Sequence, residues 1–516
     1  MMVGGSRERP ADRGEPVRAG RPRRPRERGT MATRISASVR PYTLTERDRH
    51  LVTRFSFGVD EQLTAAVRAA GGAERWFATQ LTPTSVADPS ATVHTWWPRL
   101  GHTPARAWAE VKSGRSGAWQ YGFDLAQYSM VQKILTRRQL QEVLHDVWSN
   151  LLYVPVGHDR SFPWRFHYDQ TLRGLALTSY RQLLRAAVVH PAMSGWLNND
   201  LNTKRGINEN LGRELLELYT VGRASGYTED DVKDSARLLT GHKVKVFDTF
   251  AASYAPEDHW TGRVRVLGFT HANAAADGRP ALAAYLDHLA LHPATAERVA
   301  RRLCVRLVGD DPSPSLVRSV TAAYRSSRSD VRATLKALRT HPEFLAARRR
   351  TLRAPVEDVV ASVRALGIRP VRFRGTDAFP ANLVWAAGRL GQEPYGWPRP
   401  DGYPEGSTTW ASPSRMLGAW NQHYSLAGRW NSADGQAFPA PASVLPTAFP
   451  RTLAEIVDHQ SLLLVGRPAD ATTQAAVATM LNRASGSVYK TVADVSGWHL
   501  TLIRGTVLNT PEGMLR

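Results

Sequence analysis

Apolar residues in this chain recur at helical spacing over long stretches, which commits most of it to helices packed against one another. The longest such signal runs from about 124 to 152, where Leu140, Val143, Leu144, Val147 and Leu151 form one stripe and Gln141, His145 and Ser149 lie on the other side. Shorter helices are punctuated by recognisable starts and stops. Thr45 with Asp48 is a capping-box-like start before Leu51, Val52 and Phe55, and Gly71-Gly72 should end a helix running from Asp60 to Ala70. Further helices are predicted over 209–221, from Thr228 with Asp231 to Gly241, and from His292-Pro293 through Val308. Between 242 and 270 the pattern changes: Val244, Val246, Val264, Val266 and Phe269 favour a small hairpin.

The expected fold is therefore mainly α: a large multi-helix globular domain over 41–430 with a small β-hairpin element, and a C-terminal helical appendage over 451–516. Pro439, Pro441, Pro446 and Pro450 mark a Pro-rich linker over 431–450, and Pro, Gly and Trp over 391–413 an ordered irregular loop. Residues 1–40 are rich in Arg and Pro and are expected to be a disordered tail. A start at Met31 would remove most of it.

The formal charge of +21 invites an acidic partner. Only eight of the 67 basic side chains are lysine, however, and nine arginines fall in the first 30 residues. That imbalance reads as base composition rather than as a selected patch, so nucleic acid is not the expected partner. No stretch approaches the ~20 apolar residues of a membrane span, and no apolar core follows the early arginines as a signal peptide requires. A cytoplasmic location is expected. Cys304 is the only cysteine and should be a buried small residue. The histidines show no HExxH or comparable spacing, so no metal ligands are assigned, and GxGxxG, P-loop and GxSxG motifs are absent.

Chemistry-bearing residues concentrate after position 207. At 100° per residue, Asn210, Arg213, Glu214 and Glu217 share one arc, with Arg213 and Glu217 spaced i,i+4, and Leu211, Leu215 and Leu218 form another. This arc is either a solvated face or a site. As a site, clustered amides and carboxylates can hold a cation or sugar hydroxyls, and two close carboxylates can divide acid and base roles. Glu209, Glu214 and Glu217 are the catalytic candidates; Asn208, Asn210 and Arg213 are binding candidates. A polar loop of Asn198, Asn199, Asp200 and Asn202 could close over them. Tyr395, Trp397, Tyr403 and Trp410 offer either a sugar-stacking platform or packing for the Pro-rich loop.

The string NENLGRELLELYTVGRASGYTEDDVKDSARLLTG, residues 208–241, resembles the signature of the bacterial family known as domain of unknown function 1800, and segments at 52–81, 137–152, 292–312 and 390–404 agree in order. The resemblance spans roughly 45–430, with a C-terminal extension of the high-GC Gram-positive type. It implies a helical protein without an assigned activity or cofactor, and a protein partner similar to sulfatases. Two departures stand out. Many members carry Phe-Trp-His-Asn-His where this chain has Val147-Trp148-Ser149-Asn150-Leu151, and often His-Asp where it has His259-Trp260. Asn150 and His259, the parts retained, join the binding candidates. The missing histidines favour a non-catalytic binding or scaffold protein acting with a partner. The other reading is an enzyme acting on carbohydrate or another polar polymer through clustered carboxylates.

Overall fold

A computed structural model describes residues 43–516; the Arg/Pro-rich tail expected at 1–40 lies outside the described residues. Among the described residues the chain forms 23 α-helices and four two-stranded antiparallel sheets, so the fold is mainly α. The segment expected to hold one hairpin holds two: His242–Val244 pairs with Ala252–Tyr254, and Val264–Val266 with Phe269–His271. No helix among the described residues is long and apolar enough to cross a membrane.

The capping chemistry acts where the residue types placed it. Thr45 Oγ1 accepts from Asp48 N at 3.1 Å, and Thr228 and Asp231 bond each other's backbone N–H groups at 2.8 and 3.2 Å. Cys304 is buried in the helix Pro293–Leu307, and burial pushes its thiol up to about 12.

The helical signal over 124–152 divides into two helices, Ala118–Leu135 and Gln139–Leu151. Side chains take over the backbone groups at the break. Asp88 accepts from Thr136 Oγ1 at 2.6 Å and from Arg137 N at 3.2 Å, while the Gln139 amide donates to Thr136 O at 2.8 Å. The first of these helices is buried on nearly all sides and packs against Phe162–Leu175, Pro355–Ala365 and Phe379–Arg389.

Within 431–450, Gln436–Ala437 pairs with Arg369–Pro370, and Val444 and Leu445 join Leu453, Ile456, Val457, Val477 and Ile503 in a small second core. The helix Gly497–Leu508 packs along Pro413–Ala427, and Val507, Leu508 and Met514 reach the main core.

Candidate functional site

Within the 208–241 signature, Gly212 lets two helices touch: a Cβ there would lie 2.8 Å from Ala236 N, so Asn210–Glu214 can pack directly on Glu229–Leu238. From Leu215 to Tyr219 the winding loosens to a π-helical turn. This shifts the phase of the expected arc. Arg213 consequently makes no pair with Glu217, as the i,i+4 spacing had suggested. It holds Glu209 at 3.1 Å and Glu229 at 2.6 Å, while Glu217 binds Arg223 at 2.6 Å and accepts from Tyr227 Oη at 3.2 Å. The carbonyls freed at the end of the turn are capped by Arg298, whose Nη1 donates to Glu217 O and Thr220 O at 2.8 Å.

Of the three catalytic candidates, two are thus held by arginine. Glu214 is half-buried, and burial, followed by the charge of Glu217, raises its carboxyl above the usual range. Asn208 caps Asn210 N at 3.0 Å, and Asn210 is exposed. The polar loop does structural work: Asn202 donates to Ala236 O at 2.8 Å and accepts from Asn208 N at 2.9 Å, and Asn199 donates to Leu239 O at 3.1 Å.

Asn150 lies elsewhere, and its amide is a clamp. Its Nδ2 donates to Tyr403 O at 2.8 Å while its Oδ1 accepts from Tyr403 N at 2.7 Å. The approach depends on Gly402, at φ +72°, where a Cβ would sit 2.1 Å from Asn150 O. Asp310 accepts from Ser407 N, Ser407 Oγ and Thr408 N at 2.8 to 2.9 Å, and Tyr153 Oη accepts from Trp397 N at 2.7 Å. The Pro-rich loop is therefore fixed at three points. On it, Trp397, Tyr403 and Trp410 form a row with ring centroids 5.0 and 6.1 Å apart.

This loop forms one wall of an open cleft of about 90 Å³. Asn150, Tyr395, Tyr403 and Trp410 line it with Asp146, Glu357, Glu393 and Glu405, and with Lys133, Arg306 and Arg516. Arg516 Nη1 binds both oxygens of Glu357 at 2.9 and 3.1 Å, Arg302 pairs with Glu405, and Lys133 lies 3.5 Å from Asp146. Burial raises the carboxyls of both Glu357 and Glu405 despite these cations.

Beneath the cleft a buried polar chain links four of its lining residues, Lys133, Ser129, Tyr395 and Ser149. Lys133 Nζ donates to Ser129 Oγ at 2.7 Å, Ser129 Oγ meets Tyr395 Oη at 3.0 Å, and Tyr395 Oη donates to Asp169 Oδ1 at 3.0 Å. Asp169 Oδ1 in turn lies 3.0 Å from His145 Nε2, which is 3.0 Å from Ser149 Oγ. Arg173 binds Asp169 and also Glu142, at 2.9 Å. Burial alone would raise Glu142 and Asp169, but Arg173 and His145 hold both well below the usual carboxylate range. His145 and Ser149, expected opposite the apolar stripe, are thus buried polar groups.

Ser149 and Asp169 both meet the same ring nitrogen of His145, Nε2, while Nδ1 faces Arg173 Nη2 at 3.3 Å and Glu142 Oε1 at 3.6 Å. Tyr395 is held at φ +59°, a costly conformation for a bulky residue, with the Arg165 guanidinium 4.5 Å from its ring centre.

His259 is remote in its bonding from both places. Its Nδ1 meets Thr240 Oγ1 at 3.0 Å and its Nε2 meets Asn273 Oδ1 at 3.1 Å, so both ring nitrogens serve the hairpin region. Among the described residues no three His, Cys, Asp or Glu side chains are placed to hold a metal ion.

The family model described as "Protein of unknown function (DUF1800)" matches residues 50–515. The chain belongs to this family. The match continues through the C-terminal segment, beyond the 45–430 over which the sequence resemblance was read. In this DUF1800 chain Ser149 lines the cleft and Leu151 is packed in the main core. Comparison with curated proteins and with solved structures finds no significant match.

Proposed function

We propose that this chain is a binding protein for a polar, polyhydroxylated ligand of the carbohydrate class, seated in the cleft and presented to a protein partner. The observation that supports the reading is the lining itself. Carboxylates and guanidiniums already locked in mutual ion pairs stand beside the Tyr403 and Trp410 rings on a loop fixed at three points. Fixed donors and acceptors next to an aromatic face suit sugar hydroxyls and the apolar face of a sugar ring, and prior fixing lowers the ordering cost of binding.

Calorimetric titration with neutral oligosaccharides tests this. Wild type is expected to bind, and Tyr403→Ala to bind at least tenfold more weakly with an unchanged fold; no heat from any saccharide would end the reading. The raised carboxyls of Glu357 and Glu405 favour a second reading, an enzyme acting on such a polymer. Product release by wild type that Glu405→Gln abolishes would select it. The cytoplasmic location and the high-GC Gram-positive origin inferred from the sequence are part of the same proposal.

A further inference from the structure

A second cavity, of about 200 Å³, lies where Arg353 and Arg516 meet the first helix, Glu46–Arg54. Five guanidiniums line it, from Arg49, Arg348, Arg349, Arg353 and Arg516, against the side-chain carboxylates of Glu46 and Glu512. Their partners divide unevenly. Glu46 takes Arg348 at 3.5 Å and Arg349 at 3.2 Å, Glu512 is drawn to Arg467 at 3.1 Å, and Arg516 is held by Glu357.

Arg49 and Arg353 make no ion pair among the described residues. Arg49 Nη2 has a carbonyl, Leu464 O at 3.3 Å, and Arg353 Nη1 has Gly513 O. Arg353 is 8% exposed, and its Nε has no hydrogen-bond partner. Arg353, buried, and Arg49, half-buried, thus line the cavity with no carboxylate at ion-pair distance, although Glu357 and Asp358 lie close enough to Arg353 to attract it. Burial, then the nearness of Arg353 and Arg349, pushes Arg49 down to about 10.

We propose that this cavity binds a tetrahedral oxyanion, phosphate or sulfate, either as the free ion or as the terminal ester group of a larger molecule. Guanidinium forks match the paired oxygens of such an anion, and its charge supplies what Arg49 and Arg353 lack. The site is separate from the proposed saccharide cleft, although Arg516 lines both.

Calorimetry on the full chain, with inorganic phosphate, inorganic sulfate, glucose 6-phosphate and chloride at matched ionic strength, tests it. One-to-one binding of phosphate and sulfate that chloride does not reproduce is expected. Tighter binding of glucose 6-phosphate supports a terminal ester, and equal or weaker binding supports the free ion. Arg49→Gln should weaken phosphate at least tenfold, whereas Arg47→Gln, whose side chain is 70% exposed, should leave it unchanged. Should Arg49→Gln fail to fold, Arg349→Gln serves, at 37% side-chain exposure. Phosphate binding no stronger than chloride, or retained in both cavity variants, would overturn the proposal.

Discussion

Two charge-dense regions of this molecule look alike as sequence and differ in physics. Residues 208–229 of the signature segment and the set Glu142, His145, Asp169 and Arg173 each combine acids, bases and a leucine-rich helix. In the first, Arg213 shares two glutamates near the surface, its side chain 34% exposed. In the second, side-chain exposure is 9% or less throughout, and the same kind of pair stands between helices. The energetic consequence is large. A solvated pair contributes at most about 1 kcal/mol, because water screens the charges and holding the chains costs entropy. A buried charge stripped of its partner costs about 3 to 5 kcal/mol, because its desolvation is left uncompensated.

The sharpest way to break this contrast is Arg173→Met, which removes the guanidinium that pairs with both Glu142 and Asp169. A loss of about 3 to 5 kcal/mol in urea denaturation is expected. A loss below about 1 kcal/mol would show that the network is as solvated as the signature helix.

Acid titration asks the same question through sign. Glu142 and Asp169 are depressed in the folded state, so their contribution is present above the ordinary carboxylate value and is lost as pH falls through their folded values. Wild type should therefore lose stability steadily below about pH 4, the ordinary carboxylate value. In Arg173→Met both carboxyls rise toward the ordinary value, because only His145, Lys133 and Arg165 still oppose burial, and the loss of stability on acidification should be smaller than in wild type. Denaturation midpoints at pH 7, 4 and 3 decide it: parallel curves for the two proteins would remove Arg173 as the cause.

The clamp at Asn150 ranks next. Asn150→Ala removes two loop-fixing bonds and leaves Tyr403 N and O unpaired, an expected loss of about 2 kcal/mol. Limited proteolysis should then cut within 396–410 before the rest of the chain. Unchanged protection would mean that Asp310 and Tyr153 suffice to hold the loop.

Sequence carried the local half of this picture and little of the long-range half. Caps such as Thr228 with Asp231 depend on residues three apart, so their geometry follows from neighbours. The mainly α fold was legible for the same reason. The buried network joins residues 129, 133, 142, 145, 149, 169, 173 and 395, drawn from three helices and a loop, and no periodicity connects them. A usable hint was present: Lys133, one of only eight lysines, lies within the run LAQYSMVQKIL, where a solvated face is absent. The signature misled differently, because a uniform 100° step assumes an α-helix and Leu215–Tyr219 is a π turn. Asn150 was singled out from its motif, but its role as a loop clamp needed Tyr403, which lies 253 residues away.

Arg213→Ala should cost no more than about 1 kcal/mol, since Glu209 and Glu229 both keep access to water. A loss of 3 kcal/mol would place this arginine with Arg173 and erase the distinction between the two regions.

The smallest expected effect belongs to Glu214, the one of the three glutamate candidates that no arginine holds. Its folded value is raised, first by burial and then by Glu217, so the folded state favours the neutral form and loses stability as pH rises through that value. At pH 7 the ionised side chain is therefore a small cost to the fold. Glu214→Gln keeps the shape and removes the charge, and should raise stability by a few tenths of a kcal/mol, within the range of a change that breaks no buried pair. Arg213 loses nothing, because its partners are Glu209 and Glu229. Were Glu214 instead a hidden partner of Arg213, the same substitution would cost several times more and with the opposite sign. Urea midpoints of wild type and variant at pH 7 and pH 5 separate the cases: the gain should shrink at pH 5, where the wild-type carboxyl begins to take up its proton, and a gain independent of pH would show that charge is not its source.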